Sequence, residues 1–247
     1  MPTGPYAGRV VLVTGASRGI GAAVCAALTE RGATVLAAGR DTAALARVPS
    51  ASTLATDVAD PAAADLLVGT ALGRYGRLDA VVASAGLGWA GDFAAMDPAK
   101  ITELVDVNLR APILLARAAL PALTRPGGAL VFLTSIAGLV GVPGETVYSV
   151  TKAGLETFAE LLREEAPGIT VATVAPGAVR TGFFDTRGVP YERAFPRPIP
   201  PETVAAAVLA ALAGGPARQV RPRWLALPAR LSATAPRTYR ALARRFS

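Results

Sequence analysis

The chain has 247 residues, 52% of them hydrophobic, with one cysteine, no histidine and a formal net charge of +7. That length suits one large α/β domain with a buried core, and the apolar content argues against disorder. The lack of histidine excludes Ser-His-Asp triads, His-ligated metals and His general bases.

Cys25 has no partner within the chain and reads as a buried, inert thiol. No basic segment followed by a short apolar one opens the sequence. No apolar run reaches the roughly 18 residues of a membrane span, so a cytoplasmic protein is expected.

Residues 9–14, Arg-Val-Val-Leu-Val-Thr, read as a first strand that runs into Gly15-Ala16-Ser17-Arg18-Gly19-Ile20-Gly21 and then a helix stopped by Gly32. The spacing G-x-x-x-G-x-G between strand and helix suits a dinucleotide. Glycines let the backbone approach a pyrophosphate, and the helix N-terminus offers free N–H groups. Residues 34–38 form a second strand ending at Gly39-Arg40-Asp41. An acidic side chain there holds a ribose 2′-hydroxyl, whereas an arginine accommodates a 2′-phosphate. Arg40 comes first and Arg18 lies within the glycine turn, which favours NADP(H). Asp41 keeps NAD(H) open, unless it serves as the N-cap of a helix beginning at Thr42.

Residues 53–56 read as a third strand closed by Asp57 and Val58, where Asp57 is an adenine ligand or a turn residue. A helix over 61–74 precedes a fourth strand over 78–83, which runs into Ser84-Ala85-Gly86; small residues there leave room for a ribose or nicotinamide. A long helix over 98–123 carries Asn108. Pro112 should kink that helix or free a backbone carbonyl just after Asn108. The Asn108 amide is either satisfied in the core or part of a site.

The stretch around which the chain is organised follows a fifth strand, 129–133. Ser135 sits at the strand end, where ligands bind in open α/β sheets. After a Gly/Pro-rich loop, a helix over 146–165 carries Tyr148 and Lys152 at spacing i, i+4, on one face. Two hydroxyls and an ammonium in one cleft can polarise a carbonyl and protonate it. Lys152 is one of only two lysines among 25 basic residues, and lysine is the pKa-tunable cation.

A sixth strand over 169–174 leads into Pro176-Gly177. Residues 182–201 hold five prolines and the aromatics Phe183, Phe184, Tyr191 and Phe195 without periodicity, which reads as a substrate lid or an irregular packed loop. These aromatics, with Leu87, Trp89, Leu139 and Val140, suggest an apolar substrate. A helix over 202–212 and a last short strand within 218–227 complete the domain, taken as 1–227. Residues 203–247 hold eight Arg and no acidic residue, so the positive charge belongs to the C-terminal part. The tail, 228–247, reads as a basic helix packed on its own domain or a second subunit, with peripheral membrane contact as the alternative.

Together these residues resemble the short-chain dehydrogenase/reductase family over about 8–225. The likeness rests on Thr14-Gly15-x3-Gly19-x-Gly21, Asn108, Ser135, the Y-x-x-x-K pair Tyr148 and Lys152, and Pro176-Gly177 followed by Thr181. It implies a single Rossmann-like α/β domain: a doubly wound, seven-stranded parallel sheet in a three-layer αβα arrangement, ordered 3-2-1-4-5-6-7. It further implies that Tyr148 is the general acid/base and that Lys152 lowers the Tyr148 pKa and holds the nicotinamide ribose. Ser135 would bond the substrate oxygen, and Asn108 would keep a water linked to Lys152. Gly15, Ser17, Arg18, Gly19, Ile20, Gly21, Arg40, Asp57, Val58, Ala85, Gly86 and Val107 would bind the cofactor. Pro176, Gly177, Val179 and Thr181 would cover the nicotinamide side.

The family's Asn-Ala-Gly is Ser84-Ala85-Gly86 here, which should loosen packing slightly. The expected activity is NADP(H)-dependent interconversion of a carbonyl and a secondary alcohol on a small-molecule, lipid-like substrate, in a homodimer or homotetramer, with no nucleic acid partner and no metal. The rivals are an NAD-dependent dehydrogenase of the same family and a nucleotide-binding regulatory protein with an interacting tail.

Overall fold

The computed structural model describes residues 4–124, 127–191 and 196–243. Phe195, named above, and the last four residues of the basic tail lie outside these. In chain order the elements are β1 (Val10–Thr14), α1 (Gly19–Thr29), β2 (Thr34–Gly39), α2 (Thr42–Leu45), β3 (Ser52–Ala55), α3 (Ala63–Tyr75), β4 (Ala80–Ala83), α4 (Pro98–Val105), α5 (Ala111–Leu123), β5 (Ala129–Leu133), α6 (Ile136–Val140), α7 (Thr146–Glu165), β6 (Thr170–Pro176), α8 (Pro201–Leu212), β7 (Arg218–Arg221), α9 (Ala226–Thr234) and α10 (Pro236–Ala243).

Among the described residues the seven strands form one parallel sheet in the order β3-β2-β1-β4-β5-β6-β7, as expected. Strand side chains alternate between two cores. Val11, Val13, Val35, Val82 and Val131 face α1 and α8. Val10, Leu12, Leu36, Val81 and Phe132 face α3, α5 and α7. Central strands buried on both sides need continuous apolar runs, hence VVLVT in β1 and ALVFL in β5. The edge strand β3 alternates half-buried and exposed residues instead. Cys25 is fully buried, and burial pushes its thiol up to about 12, so it is inert.

Three local features depart from the simple pattern. β4 begins at Ala80 rather than Leu78, because the Asp79 carboxylate accepts the Val10 N–H at 2.8 Å in place of a strand carbonyl. The helix over 98–123 is interrupted by one π-helical turn, Asp106–Arg110, centred on Asn108. Pro112, with no N–H, follows that turn and lets the backbone widen there. Asp41 caps α2, its side chain accepting the Ala44 N–H at 2.9 Å.

The tail folds as two helices, with α9 packed on α6 and α10 on α9. No helix among the described residues is long and apolar enough to cross a membrane.

Candidate active site

The strand order reverses between β1 and β4, and a crevice opens there at the carboxyl ends of the strands. The crevice is part of a cavity of about 1880 Å³. That exceeds the roughly 300–1,000 Å³ of a usual ligand pocket.

At one end lies the glycine turn. Gly15 has φ +63°, and a Cβ there would sit 2.7 Å from the Ala85 backbone, so only glycine permits this approach of β1 to the end of β4. Gly19 has φ +59°, and its missing Cβ leaves room for Thr181, whose Cγ2 would lie 3.0 Å away. The Thr14 hydroxyl accepts the N–H groups of Ser84 and Ala85 at 3.2 and 3.3 Å, joining the two strand ends. Helix α1 has no side-chain cap and no acidic residue in its first turn. Its positive end is thus presented to the crevice, an arrangement that fits a dinucleotide phosphate.

Arg18, Arg40, Asp41 and Asp57 line the same end. Arg40 stands 3.7 Å from Asp57, and both side chains are about half exposed. Such a pair is worth little in water. It leaves Arg40 available to a stronger anion.

At the other end Ser135, Tyr148 and Lys152 converge, all buried. Ser135 is the N-cap of α6, its Oγ accepting the Ala137 N–H at 3.1 Å. Lys152 donates from Nζ to the Leu133 carbonyl at 2.9 Å, and Nζ lies 6.0 Å from the Tyr148 ring centroid. Burial pulls the ammonium down to about 8, against the charge of Glu156. Burial pushes the Tyr148 phenol up to about 12. A hydrogen bond with Ser135 pulls it back, Glu145 pushes it further up and Arg187 pulls it down. The phenol is thus raised rather than lowered as expected from Lys152, because burial outweighs its neighbours, and it stands neutral as a proton donor.

Asn108 is buried behind this group and does not line the cavity. Its amide is fully engaged with Leu87, accepting the Leu87 N–H and donating to the Leu87 carbonyl, each at 2.8 Å. It also donates to the Thr151 hydroxyl at 3.4 Å. The amide thus clamps the loop after β4 against α7, and a Cβ on Gly86 would meet Asn108 Oδ1 at 3.3 Å and Lys152 Nζ at 3.4 Å. The other candidates — Ser17, Ile20, Gly21, Val58, Ala85, Val107, Pro176, Gly177, Val179 and Thr181 — all line the cavity.

The short chain dehydrogenase family profile matches residues 9–189. The chain belongs to the short-chain dehydrogenase family. The dehydrogenase is 36% identical over 188 residues to versicolorin reductase of Emericella nidulans, covering 72% of this chain and 71% of that one. It superposes on the Thermococcus sibiricus alcohol dehydrogenase complexed with 5-hydroxy-NADP with a TM-score of 0.77 at 26% identity, over 86% and 95% of the two chains. For 3-ketoacyl-(acyl-carrier-protein) reductase of Brucella melitensis, complexed with NADH, the TM-score is 0.79 at 25% identity, over 87% and 97%. The dehydrogenase is therefore an NAD(P)-dependent oxidoreductase of this family.

Several cavity residues escaped the sequence reading. Arg187, buried in the proline-rich loop, forms an ion pair with Glu145, three residues before Tyr148. Its Nε donates to the Val189 carbonyl at 2.8 Å, and its guanidinium stacks 4.8 Å from the Phe184 ring centroid. An aromatic series runs from Tyr148 to Phe183, Phe184 and Tyr191, with successive centroids 5.6, 5.5 and 4.7 Å apart. No local pattern pairs an arginine in such a loop with a glutamate 42 positions earlier. Leu231, Tyr239, Arg240 and Leu242 of the tail also line the cavity, whereas Trp89 and Leu139 do not. The metal-ligating side chains among the described residues form no cluster able to hold an ion.

Proposed function

We propose that the dehydrogenase interconverts a carbonyl and a secondary alcohol with NADP(H), using Tyr148 as general acid in reduction and general base in oxidation. The observation that carries this reading is the meeting of the Tyr148 phenol, Ser135 and Lys152 in the cavity that also holds the glycine turn. When bound, the dinucleotide supplies or accepts hydride at its nicotinamide ring.

The chain's own residues do the rest. Ser135 and Tyr148 hold the substrate oxygen, and Tyr148 gives it the proton that completes the alcohol. In the reverse direction Tyr148 takes that proton back. Lys152 binds the nicotinamide ribose hydroxyls and, when charged, favours the phenolate left behind. Asn108 fixes the Leu87 backbone and α7, and so the Tyr148–Lys152 pair. Gly15, Ser17, Gly19, Ile20 and Gly21 cradle the pyrophosphate, and Asp57, Val58, Ala85, Gly86 and Val107 line the adenosine and ribose. Pro176, Gly177, Val179 and Thr181 cover the nicotinamide.

NADP(H) is favoured because Asp41 is engaged as the cap of α2 while Arg18 and Arg40 line the same end of the cavity. An apolar, lipid-like substrate fits the wall made by Phe183, Phe184, Tyr191, Leu231 and Leu242. Residues 182–201 act as the substrate lid of a 1–227 catalytic domain. The Val179–Ile199 bridge holds the base of the lid together, and the Arg187–Glu145 pair closes it. The working form is a cytoplasmic homodimer or homotetramer.

The test is turnover of NADPH with a panel of apolar ketones by the wild type and Tyr148→Phe. Loss of turnover with retained NADPH binding supports the reading, and equal turnover overturns it.

A further inference from the structure

The two C-terminal helices have two distinct sides. On the inner side, Leu225, Pro228, Leu231 and Tyr239 line the cavity. On the outer side, Arg223, Leu227, Arg230 and Thr234 are exposed at spacings of four, three and four residues, so they share one face of α9 and the turn before it. Arg237 continues the exposed charge onto α10, and Arg240, also exposed, stands at the cavity border.

Two properties of this outer side are unusual. Its described arginines are Arg223, Arg230, Arg237 and Arg240, and residues 203–247 contain no acidic residue to offset them. Large apolar side chains stand among the arginines: Leu227 is 68% exposed, Leu242 42% and Trp224 41%. Trp224 and Leu242 belong to the cavity lining as well. The mouth of the cavity is therefore rimmed by partly exposed apolar groups and flanked by cations.

We propose that the outer face of α9 and α10 docks the cavity mouth on an anionic lipid surface. Arginines are drawn to acidic headgroups, while Trp224, Leu227 and Leu242 enter the headgroup boundary as interfacial side chains do. A soluble polyanion, nucleic acid or acidic protein would satisfy the arginines but would gain nothing from exposed Leu227. Docked this way, the cavity opens toward the bilayer, from which an apolar substrate enters without crossing water. That last consequence rests on the apolar-substrate reading, but the docking itself needs neither substrate nor cofactor.

The experiment is sedimentation of the full chain with vesicles of phosphatidylcholine alone or mixed with phosphatidylserine. Binding to the mixed vesicles only is expected, with release as salt approaches about 1 M, where screening shortens to about 3 Å. Arg223→Glu, Arg230→Glu and Arg237→Glu should each weaken partition by roughly fivefold or more, and Leu227→Ser should weaken it without altering the salt dependence. None of these four side chains lines the cavity, so NADPH titration of each variant serves as the folding control.

Absence of binding to the mixed vesicles at low salt overturns the proposal. So does equal binding to neutral vesicles, or binding that the Arg variants leave unchanged. A Leu227→Ser variant that binds like the wild type, with heparin displacing the vesicles, would assign the face to a soluble polyanion instead. Self-association lost in the same variants, without vesicle binding, would assign it to a second copy. All of these outcomes are independent of ketone turnover, so failure here leaves the redox reading untouched.

Discussion

Glu156 lies one helical turn beyond Lys152 on the buried face of α7, and its charge opposes the burial that strips Lys152 of its proton. Glu156 is itself tied to three strands. It accepts from Thr134 at the end of β5, from Thr173 on β6 at 3.0 Å, and from Arg218 on β7 at 3.1 Å. One buried carboxylate thus links the helix carrying Tyr148 and Lys152 to the strand end carrying Ser135.

Glu156→Gln should therefore shift the pH profile. Lys152 is charged below about 8 and loses its proton above it. Removing the Glu156 charge lowers that value, so the alkaline decline of kcat/KM should begin at lower pH than in the wild type. A profile measured with NADPH and one ketone checks this, and an unshifted alkaline limb would disconnect the two residues.

Tyr148→Phe should lower kcat by roughly 10²–10⁴-fold, the usual contribution of a positioned acid. Because burial holds the phenol near 12, the wild-type acid stays protonated across the neutral range. Any neutral-range pH dependence of reduction should then come from Lys152. NADPH titration of the variant separates lost chemistry from lost binding.

Arg40→Ala should weaken NADPH by about tenfold or more, the worth of one charge-assisted hydrogen bond, and leave NADH unchanged. Its resting partner Asp57 is 3.7 Å away and half exposed, so little is lost by breaking that pair. Calorimetric titration of both nucleotides is the measurement. Tighter NADH binding by the wild type would overturn the phosphate clamp and make Asp41 the ribose reader.

Arg187→Met should remove the ion pair with Glu145 and loosen the 182–191 loop. Faster proteolytic nicking within 182–191 and a raised KM are expected, since the loop carries Phe183 and Phe184 over the cavity. Identical nicking rates would show that the pair does not hold the loop.

Asp79→Asn should destabilise the fold by about 1–3 kcal/mol at neutral pH without changing cofactor preference. Burial acts to raise the Asp79 carboxyl, but the Arg77 hydrogen bond and the Val10 N–H hold it below its ordinary value. The stability it contributes is present above the unfolded value near 3.9 and fades as pH falls through the lower folded value. Urea unfolding of both proteins should show a gap at pH 7 that narrows in strong acid.

Much of this molecule is legible before folding because its signals are local. Apolar runs such as Val10–Thr14 and Ala129–Leu133 declare buried parallel strands, and the spacing of Gly15, Gly19 and Gly21 marks a turn where backbones must nearly touch. The i, i+4 spacing of Tyr148 and Lys152 puts both on one helix face by geometry alone. Pro112 warned of a break beside Asn108, but the π turn and the clamp on Leu87 depend on a loop 21 residues earlier.

The sequence by itself marked the strand and helix segments and placed Ser135 at a strand end and Tyr148 and Lys152 on one helix face, while the seven-stranded sheet and its order were expected from the resemblance to the family. Periodicity and glycine spacing act within a few residues. Only the tertiary structure decided which charges meet: Arg187 with Glu145, Arg218 with Glu156, Arg40 with Asp57. It also turned one side of the basic tail inward to line the cavity and left Arg223, Arg230 and Arg237 outside. Charge pairing and burial are set by distances across the fold, and these follow from packing between segments far apart in the chain, on which local spacing places no constraint.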